Sequence, residues 1–256
     1  MLDSLYAGSI ADSASRELSL DAKSLEKLAL ETAPALDALS YLSKASHIKI
    51  LAEIKRASPS RGDLSHIADP VALAKTYVEA GASAISVLTE QRKFKGSLED
   101  LTAVRANVNV PLLRKDFIAN EYQVLEARAA GADIVLLIVA GLENARLIQL
   151  KNFVEALGMT AFVETHNQQE VEFAVDIDAK LLGVNARDLS TFETDRNLFE
   201  KLVHLIPDHT IKVAESAVRS VDDIRHYRNA GADVALVGEA LVTGNPKDLL
   251  SEFLAV

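Results

Sequence analysis

The 256-residue chain contains no cysteine. Disulfides, thiolate metal sites and cysteine nucleophiles are thereby excluded, and the composition suits a reducing compartment. Long apolar runs are also missing. A membrane-spanning helix needs roughly 18 consecutive apolar residues, and "IVLLIVAGL" from Ile134 reaches about half that length. The N-terminal stretch "MLDSLYAGSIADSASREL" has no basic segment followed by an apolar one, so no secretory signal is expected. Positive charge is in deficit: the formal net charge is −10 and the pI near 5.1. That balance disfavours nucleic acid and anionic membranes as partners. The six histidines (His47, His66, His166, His204, His209 and His226) never fall in an HxxxH or HExxH spacing, so no metal site is expected. GxGxxG and P-loop patterns are absent as well. These exclusions predict a soluble, cytoplasmic, globular protein. With 49% hydrophobic residues, its length matches one α/β barrel, typically about 250 residues.

What the chain does contain is a repeat. "EAGASAISVL" begins at Glu79, "AAGADIVLLI" at Ala129 and "NAGADVALVG" at Asn229. Each reads as a helix end, a glycine stop and a short strand. Gly81, Gly131 and Gly231 lie 50 and then 100 residues apart; "DIDAKLLGVN" occupies the missing place without its glycine. Internal periodicity indicates repeated architecture. Strands are predicted at 48–55, 84–89, 111–115, 133–139, 160–164, 181–185, 210–215 and 234–238, with amphipathic runs between them. Short apolar strands alternating with helices pair in parallel through βαβ crossovers. Eight such units predict a (β/α)₈ TIM barrel in preference to an open doubly wound sheet. Residues 1–46 precede the first strand and read as helix broken near Pro34. They are expected to pack on the barrel, over its open end or as a plug at its base. The expected organisation is a single domain over 1–256, with 1–46 as a helical extension and 47–256 as the barrel.

The polarity of the strand ends points to function. In "ILAEIKRASPSRGDL", from Ile50, strand parity puts Leu51, Glu53 and Lys55 on one face. The same parity joins Lys115 to Leu113, Glu164 to Phe162, Asn185 to Gly183 and Leu181, and Glu215 to Val213. In a barrel that face points inward, and the C-terminal strand ends form the mouth where active sites lie. Six polar groups from five strands are thus predicted to converge. Buried ions of both signs are costly unless paired or used. Like charges in such a cluster are expected to raise carboxyl pKa values and lower those of lysines, which suits acid–base chemistry near neutral pH. Lysines and glutamates together supply acids, bases and anion binding with neither metal nor cofactor. Strand ends seven and eight, "AESAV" and "VGEAL", are the expected phosphate-binding turns. Phe94 and Phe117 are placed either to sandwich a ring or to anchor their loops, and Arg187 to clamp a carboxylate or phosphate. His166 is assigned to a loop.

The motifs "LAEIKRASPSRG", "SVLTEQRKFKGSLEDL", "PLLRKDFI", "GADIVLLIV", "FVETHN", "GVNARDL", "VAESAV" and "LVGEAL" together resemble the indole-3-glycerol phosphate synthase family, in order across residues 47–255. The resemblance implies ring closure, decarboxylation and dehydration of 1-(2-carboxyphenylamino)-1-deoxyribulose 5-phosphate, in tryptophan biosynthesis. It implies Lys115 as general acid at the ribulose carbonyl and Glu164 beside the reacting centre. Lys55 is implied to hold the substrate carboxylate and to serve as an acid for dehydration. Glu53, Asn185 and Glu215 are implied to position hydroxyls and lysines, with Glu53 a base in the later step. Phe94 and Phe117 would flank the ring, Ser216, Gly238 and Glu239 would cradle the phosphate, and Ser58 and Arg61 would belong to the loop after strand one. The partner implied is a small phosphorylated substrate, without nucleic acid or membrane. The chain is expected to be a monomer or weak homo-oligomer, open to contacts with pathway enzymes. Three positions depart from the family pattern. Ala217 replaces a usual glycine and is expected at negative φ, which keeps its backbone donor. Ala186 replaces a frequent serine, and Arg61 a usual lysine. A Schiff-base aldolase, another phosphosugar isomerase and a non-catalytic phosphometabolite sensor are the competing readings of the same mouth.

Overall fold

A computed structural model describes residues 1–59, 61–64, 67–188, 191 and 193–256; His66 and Ser60 of the strand-one loop lie outside the described residues. Eight strands form a closed parallel barrel: β1 (Lys49–Ile54), β2 (Ala84–Leu88), β3 (Leu112–Lys115), β4 (Ile134–Ile138), β5 (Thr160–Thr165), β6 (Leu181–Asn185), β7 (Ile211–Glu215) and β8 (Val234–Val237). Each pairs with its neighbours in sequence, and β1 closes the ring by pairing Lys49 with Val234 and Ala52 with Val237. The chain therefore has the predicted (β/α)₈ fold, with strand limits within a residue or two of those expected.

Strand alternation sorts the core into two layers. Ile50, Ala52 and Ile54 point outward to the helices, where they join Val135, Leu137, Val163 and Leu182. Leu51, Leu113, Leu136, Phe162, Leu181, Val213 and Leu236 point inward and fill the barrel. The repeated glycines adopt the left-handed backbone that ends each helix: φ is +97° at Gly81, +84° at Gly131 and +103° at Gly231. The fourth copy does the same with a different residue. Asp178 has φ +57°, and the next amide, Ala179 N–H, returns to Ala174 O as Ala82 N–H does to Tyr77 O. Aspartate is among the few side chains that tolerate this region, which explains how the repeat survives without its glycine.

The N-terminal segment reaches both ends of the barrel. Helix α1 (Leu2–Glu17) lies at the mouth, where Leu5 and Tyr6 meet Ile138 and Phe117. Helix α2 (Ala22–Glu31) runs along the outside, burying Leu25 and Ala29 against Tyr122 and Leu125. Helix α3 (Ala38–Leu42) closes the base, where Ala38 and Leu42 join the inner layer. Its surroundings confirm the end: Lys49 Nζ donates to Tyr41 O, and Leu36 N–H to Asp133 Oδ1 at 2.7 Å, both partners lying at strand starts. Lid and plug were alternatives in the sequence; the segment provides both.

Candidate active site

Every predicted site residue lines one cavity at the C-terminal ends of the strands: Glu53, Lys55, Ser58, Phe94, Lys115, Phe117, Glu164, Asn185, Arg187, Glu215, Ser216, Gly238 and Glu239. The parity argument explains the convergence. Asn185 is in register with Glu215, and Glu164 with Gly183, so adjacent strands deliver polar groups to one level.

Lys115 Nζ sits 2.9 Å from Glu164 Oε2 and 3.7 Å from Glu215 Oε2. Asn185 Nδ2 donates to the other Glu164 oxygen at 3.0 Å, and Ser216 Oγ donates to Asn185 Oδ1 at 2.8 Å. A second ion pair stands beside the first: Lys55 Nζ is 2.7 Å from Glu53 Oε1. Two glycines make room. A Cβ on Gly238 would lie 2.5 Å from Glu53 Oε1, and one on Gly183 would lie 2.2 Å from Glu215 Oε1 and 2.8 Å from the Phe162 ring. A side chain at Gly238 would thus displace the Glu53 carboxylate from its place beside Lys55.

The electrostatics separate the two carboxyls around Lys115. Burial raises both, but the Lys115 charge and His166 hold Glu164 well below the usual carboxylate range. Glu215 is pushed well above that range by burial and by the Glu164 charge, with Lys115 opposing. Adjacent buried carboxylates cannot both ionise cheaply; Lys115 and His166 favour the charge on Glu164, and burial beside that charge shifts Glu215 towards its protonated form. Lys115 differs from expectation. Burial works against its charge, yet Glu164, Glu215 and Glu53 outweigh burial and raise its pKa. The expected lowering assumed lysines facing lysines; three carboxylates face this one.

The loops supply the walls. Glu90 accepts backbone N–H groups from Arg92, Lys93 and Phe94 at 3.0, 2.7 and 2.9 Å, which fixes the turn carrying Phe94. Phe94 and Phe117 do not form the two sides of a slot. Their centroids are 6.1 Å apart at 42°, so they pack on each other as one wall, and Phe117 is buried. Ser58 lies in a short hairpin pairing with Gly62, and Arg61 on its far side reaches Glu239 at 2.8 Å. Arg187 N–H donates to Asn185 Oδ1 at 3.0 Å, and Ala186, buried, uses its backbone to bond Glu215 O and Asp195 N–H. Ala217 is a correction. Its φ is +58°, following Ser216 at +68°, so two consecutive non-glycine residues occupy left-handed backbone where a negative φ was expected.

Two residues escaped the sequence reading, and a third, His166, has a different role from the loop position expected of it. His166 lies 3.3 Å from Glu164 and 3.1 Å from Glu170 instead of serving only as loop. Its position two residues past Glu164, on the same face, was the available signal. Asp116 accepts from Ser9 Oγ at 3.0 Å and Arg114 Nη2 at 3.0 Å, and so ties α1 to the strand that carries Lys115. Tyr6 of α1 stacks edge-on to Phe117 at 5.6 Å, and its phenol pKa is raised by burial and by Glu164 and Asp116. Nothing in the local sequence linked α1 to this site.

The family model described as indole-3-glycerol phosphate synthase matches residues 2–252. The chain belongs to that family. A relative of that name from Leifsonia xyli is 57% identical over 256 residues, covering 100% of this chain and 98% of its own. Another from an Arthrobacter species is 50% identical over 260 residues, covering 100% and 96%. Among solved structures, thiamine phosphate pyrophosphorylase from Pyrococcus furiosus superposes with a TM-score of 0.60 at 16% identity, covering 80% of this chain and 93% of that one. That likeness speaks for the barrel alone. Family membership thus rests on sequence over the whole barrel and the N-terminal helices together. Among the described residues no helix is long and apolar enough to cross a membrane.

Proposed function

We propose that this chain catalyses the indole-3-glycerol phosphate synthase reaction as a carboxy-lyase of tryptophan biosynthesis, with Lys115 and Lys55 as its two acids. The observation that carries the assignment of roles is the Lys115 cluster: its ammonium lies 2.9 Å from Glu164 and 3.7 Å from Glu215, beside the Lys55–Glu53 pair at 2.7 Å. Ring closure joins an anthranilate ring carbon to the ribulose carbonyl carbon, and the carbonyl oxygen must gain a proton as the bond forms. Lys115 is the donor in this reading. The ionised Glu164 faces the positive charge that develops on the ring and its nitrogen. Loss of CO₂ then restores aromaticity. Dehydration needs a proton on the departing hydroxyl and a base for the remaining proton, and Lys55 and Glu53 supply them. Asn185 and Glu215 orient Glu164 and Lys115. Ser58 and Arg187 line the cavity, and Arg187 is assigned to an anionic group of the substrate. Phe94 and Phe117 provide an apolar wall for the ring, and Ser216, Gly238 and Glu239 the phosphate end.

Residues 1–256 are taken as one folding unit, because α1 and α3 each complete the barrel's inner layer at opposite ends. A cytoplasmic setting fits a biosynthetic reaction of this kind. A Schiff-base mechanism is disfavoured by the same cluster: a nucleophilic lysine must be neutral, and the three carboxylates keep Lys115 charged. The test is incubation with 1-(2-carboxyphenylamino)-1-deoxyribulose 5-phosphate while following indole fluorescence. Turnover is expected, with no mass change after borohydride. Folded protein that yields no indole signal refutes the activity, and a borohydride-stable adduct on Lys115 refutes the acid role.

A further inference from the structure

We propose that His166 is a positioning residue of this site: its imidazole, braced by Glu170, fixes the Glu164 carboxylate against Lys115. The proposal rests on the functional reading above for what Glu164 does, and on geometry for how it is held.

The brace begins at a helix cap. Asn167 is the N-cap of the helix Gln168–Asp176, and its side chain accepts Glu170 N–H at 3.0 Å. In return Asn167 Nδ2 donates to Glu170 Oε1 at 2.6 Å, which leaves Oε2 aimed back at the strand end. That oxygen takes two contacts from His166, the backbone N–H at 2.8 Å and ring Nδ1 at 3.1 Å. The imidazole plane is thereby set from one side. Its Nε2 then lies 3.3 Å from Glu164 Oε1. The contact is between charges and not an aligned hydrogen bond, since buried Nε2 has no acceptor in line among the described residues. The His166 side chain is 11% exposed and that of Glu164 1%, so water does little to screen them.

The groups facing this pair come from several elements. Lys115 approaches from β3, Glu215 and Asn185 from β7 and β6, Glu170 from the helix Gln168–Asp176, and Tyr6 from α1. Burial disfavours the imidazolium, but the close contacts with the Glu164 and Glu170 carboxylates and their charges outweigh it and raise the pKa to about 10. The ring is therefore a fixed cation at neutral pH. A second cation on Glu164 frees Lys115 to move its own proton. While Lys115 is briefly neutral, His166 keeps Glu164 ionised.

The experiment compares wild type, His166→Ala, His166→Gln and Glu170→Gln, with folding checked by thermal melting. For His166→Ala, kcat is expected to fall by up to roughly 10²-fold, the cost of a misplaced catalytic group. KM should stay within about threefold, since His166 is not assigned a substrate contact. The acidic limb of the kcat profile should move up by about one pH unit or more as Glu164 loses a counter-charge. Glu170→Gln should move both in the same direction by less, and His166→Gln should recover part of kcat but not the pH limb. Unchanged kcat and pH limb in His166→Ala overturns the proposal, as does a loss confined to KM. ¹⁵N spectra of the ring, assigned by the loss of its signal in His166→Gln, need no turnover. A doubly protonated ring at pH 8 is expected, and loss of a proton near pH 6.5 overturns the proposal even in an active enzyme. A folded wild type with that protonated ring but no indole product would instead overturn the functional reading.

Discussion

Towards the base of the barrel, Leu51, Leu113, Leu181 and Ile211 share one inner cluster with Ala38 and Leu42 of α3. Two to four residues further along the same strands, on the same face, stand Glu53, Lys115, Asn185 and Glu215. The lower layer gains from removing apolar area from water, and each side chain is replaceable by another of similar volume. The upper layer is ionic and almost as well buried: Glu53 is 3% exposed and Glu215 1%. Paired ions in that setting add little net stability over apolar groups of the same shape. One inner face therefore holds a region built to be stable and a region whose composition stability does not explain. The second is where chemistry resides.

The sharpest way to break this contrast is to change neighbours on one strand. Lys115→Ala is expected to lower kcat by roughly 10²–10⁴-fold or more, as for loss of a general acid. Its effect on unfolding free energy should be smaller than that of Leu113→Ala, because Glu164 and Glu215 can share a proton once the ammonium is gone. Leu113→Ala removes a fully buried inner-layer side chain, and about 2–5 kcal/mol of stability should go with it. At temperatures where it remains folded, kcat should stay close to wild type. Denaturant melts and steady-state rates on both variants check the pair. Equal damage to both quantities in both variants would dissolve the distinction between the layers. Within the upper layer, Lys55→Ala should raise KM as well as lower kcat. Rapid-quench samples should then show a cyclised, decarboxylated species that Lys115→Ala never accumulates.

A gentler probe is pH. His166 has its pKa raised to about 10 from an ordinary value of 6.5. A group with a raised folded pKa stabilises fully below its unfolded pKa and loses that contribution as pH climbs to the folded value. The stability difference between wild type and His166→Gln should be greatest below about pH 6.5, shrink steadily above it, and vanish near pH 10. Glu164, whose pKa is lowered, contributes in the opposite sense: present above the ordinary carboxyl range and lost on acidification. A base-layer variant such as Leu113→Ala should show a pH-independent deficit over the same range. Urea midpoints at several pH values read both.

Sequence reading reached the barrel and the mouth for the same reason. Parity along a strand is rigid, so one charged residue after two inward apolar ones reports a position in space. Lys115 after Leu113, and Glu215 after Val213, could be placed without coordinates. The N-terminal helices could not, because Tyr6 finds its partner Phe117 more than a hundred residues away, and Leu42 joins the inner layer at the opposite end of the barrel. His166 was legible as a neighbour of Glu164 but not as its clamp, since the clamp depends on a cap formed by Asn167 and Glu170. The lysine pKa was misjudged because charge counts along a chain do not say which sign faces which.

The smallest expected effect lies at the turn after β7. Ser216 and Ala217 hold φ of +68° and +58°, where an L residue with a Cβ is strained by about 1–2 kcal/mol. The two positions differ in what their side chains return. Ser216 Oγ donates to Asn185 Oδ1 at 2.8 Å, which links the turn to Glu164 through Asn185. No hydrogen bond can come from the methyl of Ala217. Ala217→Gly relieves the strain and loses little else, apart from the entropy that glycine adds to the unfolded chain. A net gain of about 0.5–1 kcal/mol is expected, with phosphate affinity equal or improved because the backbone amides keep their direction. Ser216→Gly relieves the same strain but frees Asn185, so stability should change little while kcat falls. Thermal melts and competition by inorganic phosphate separate the two. A marked loss of phosphate affinity in Ala217→Gly would mean that the strained alanine holds the turn open, and that its Cβ restricts the loop in a way glycine cannot.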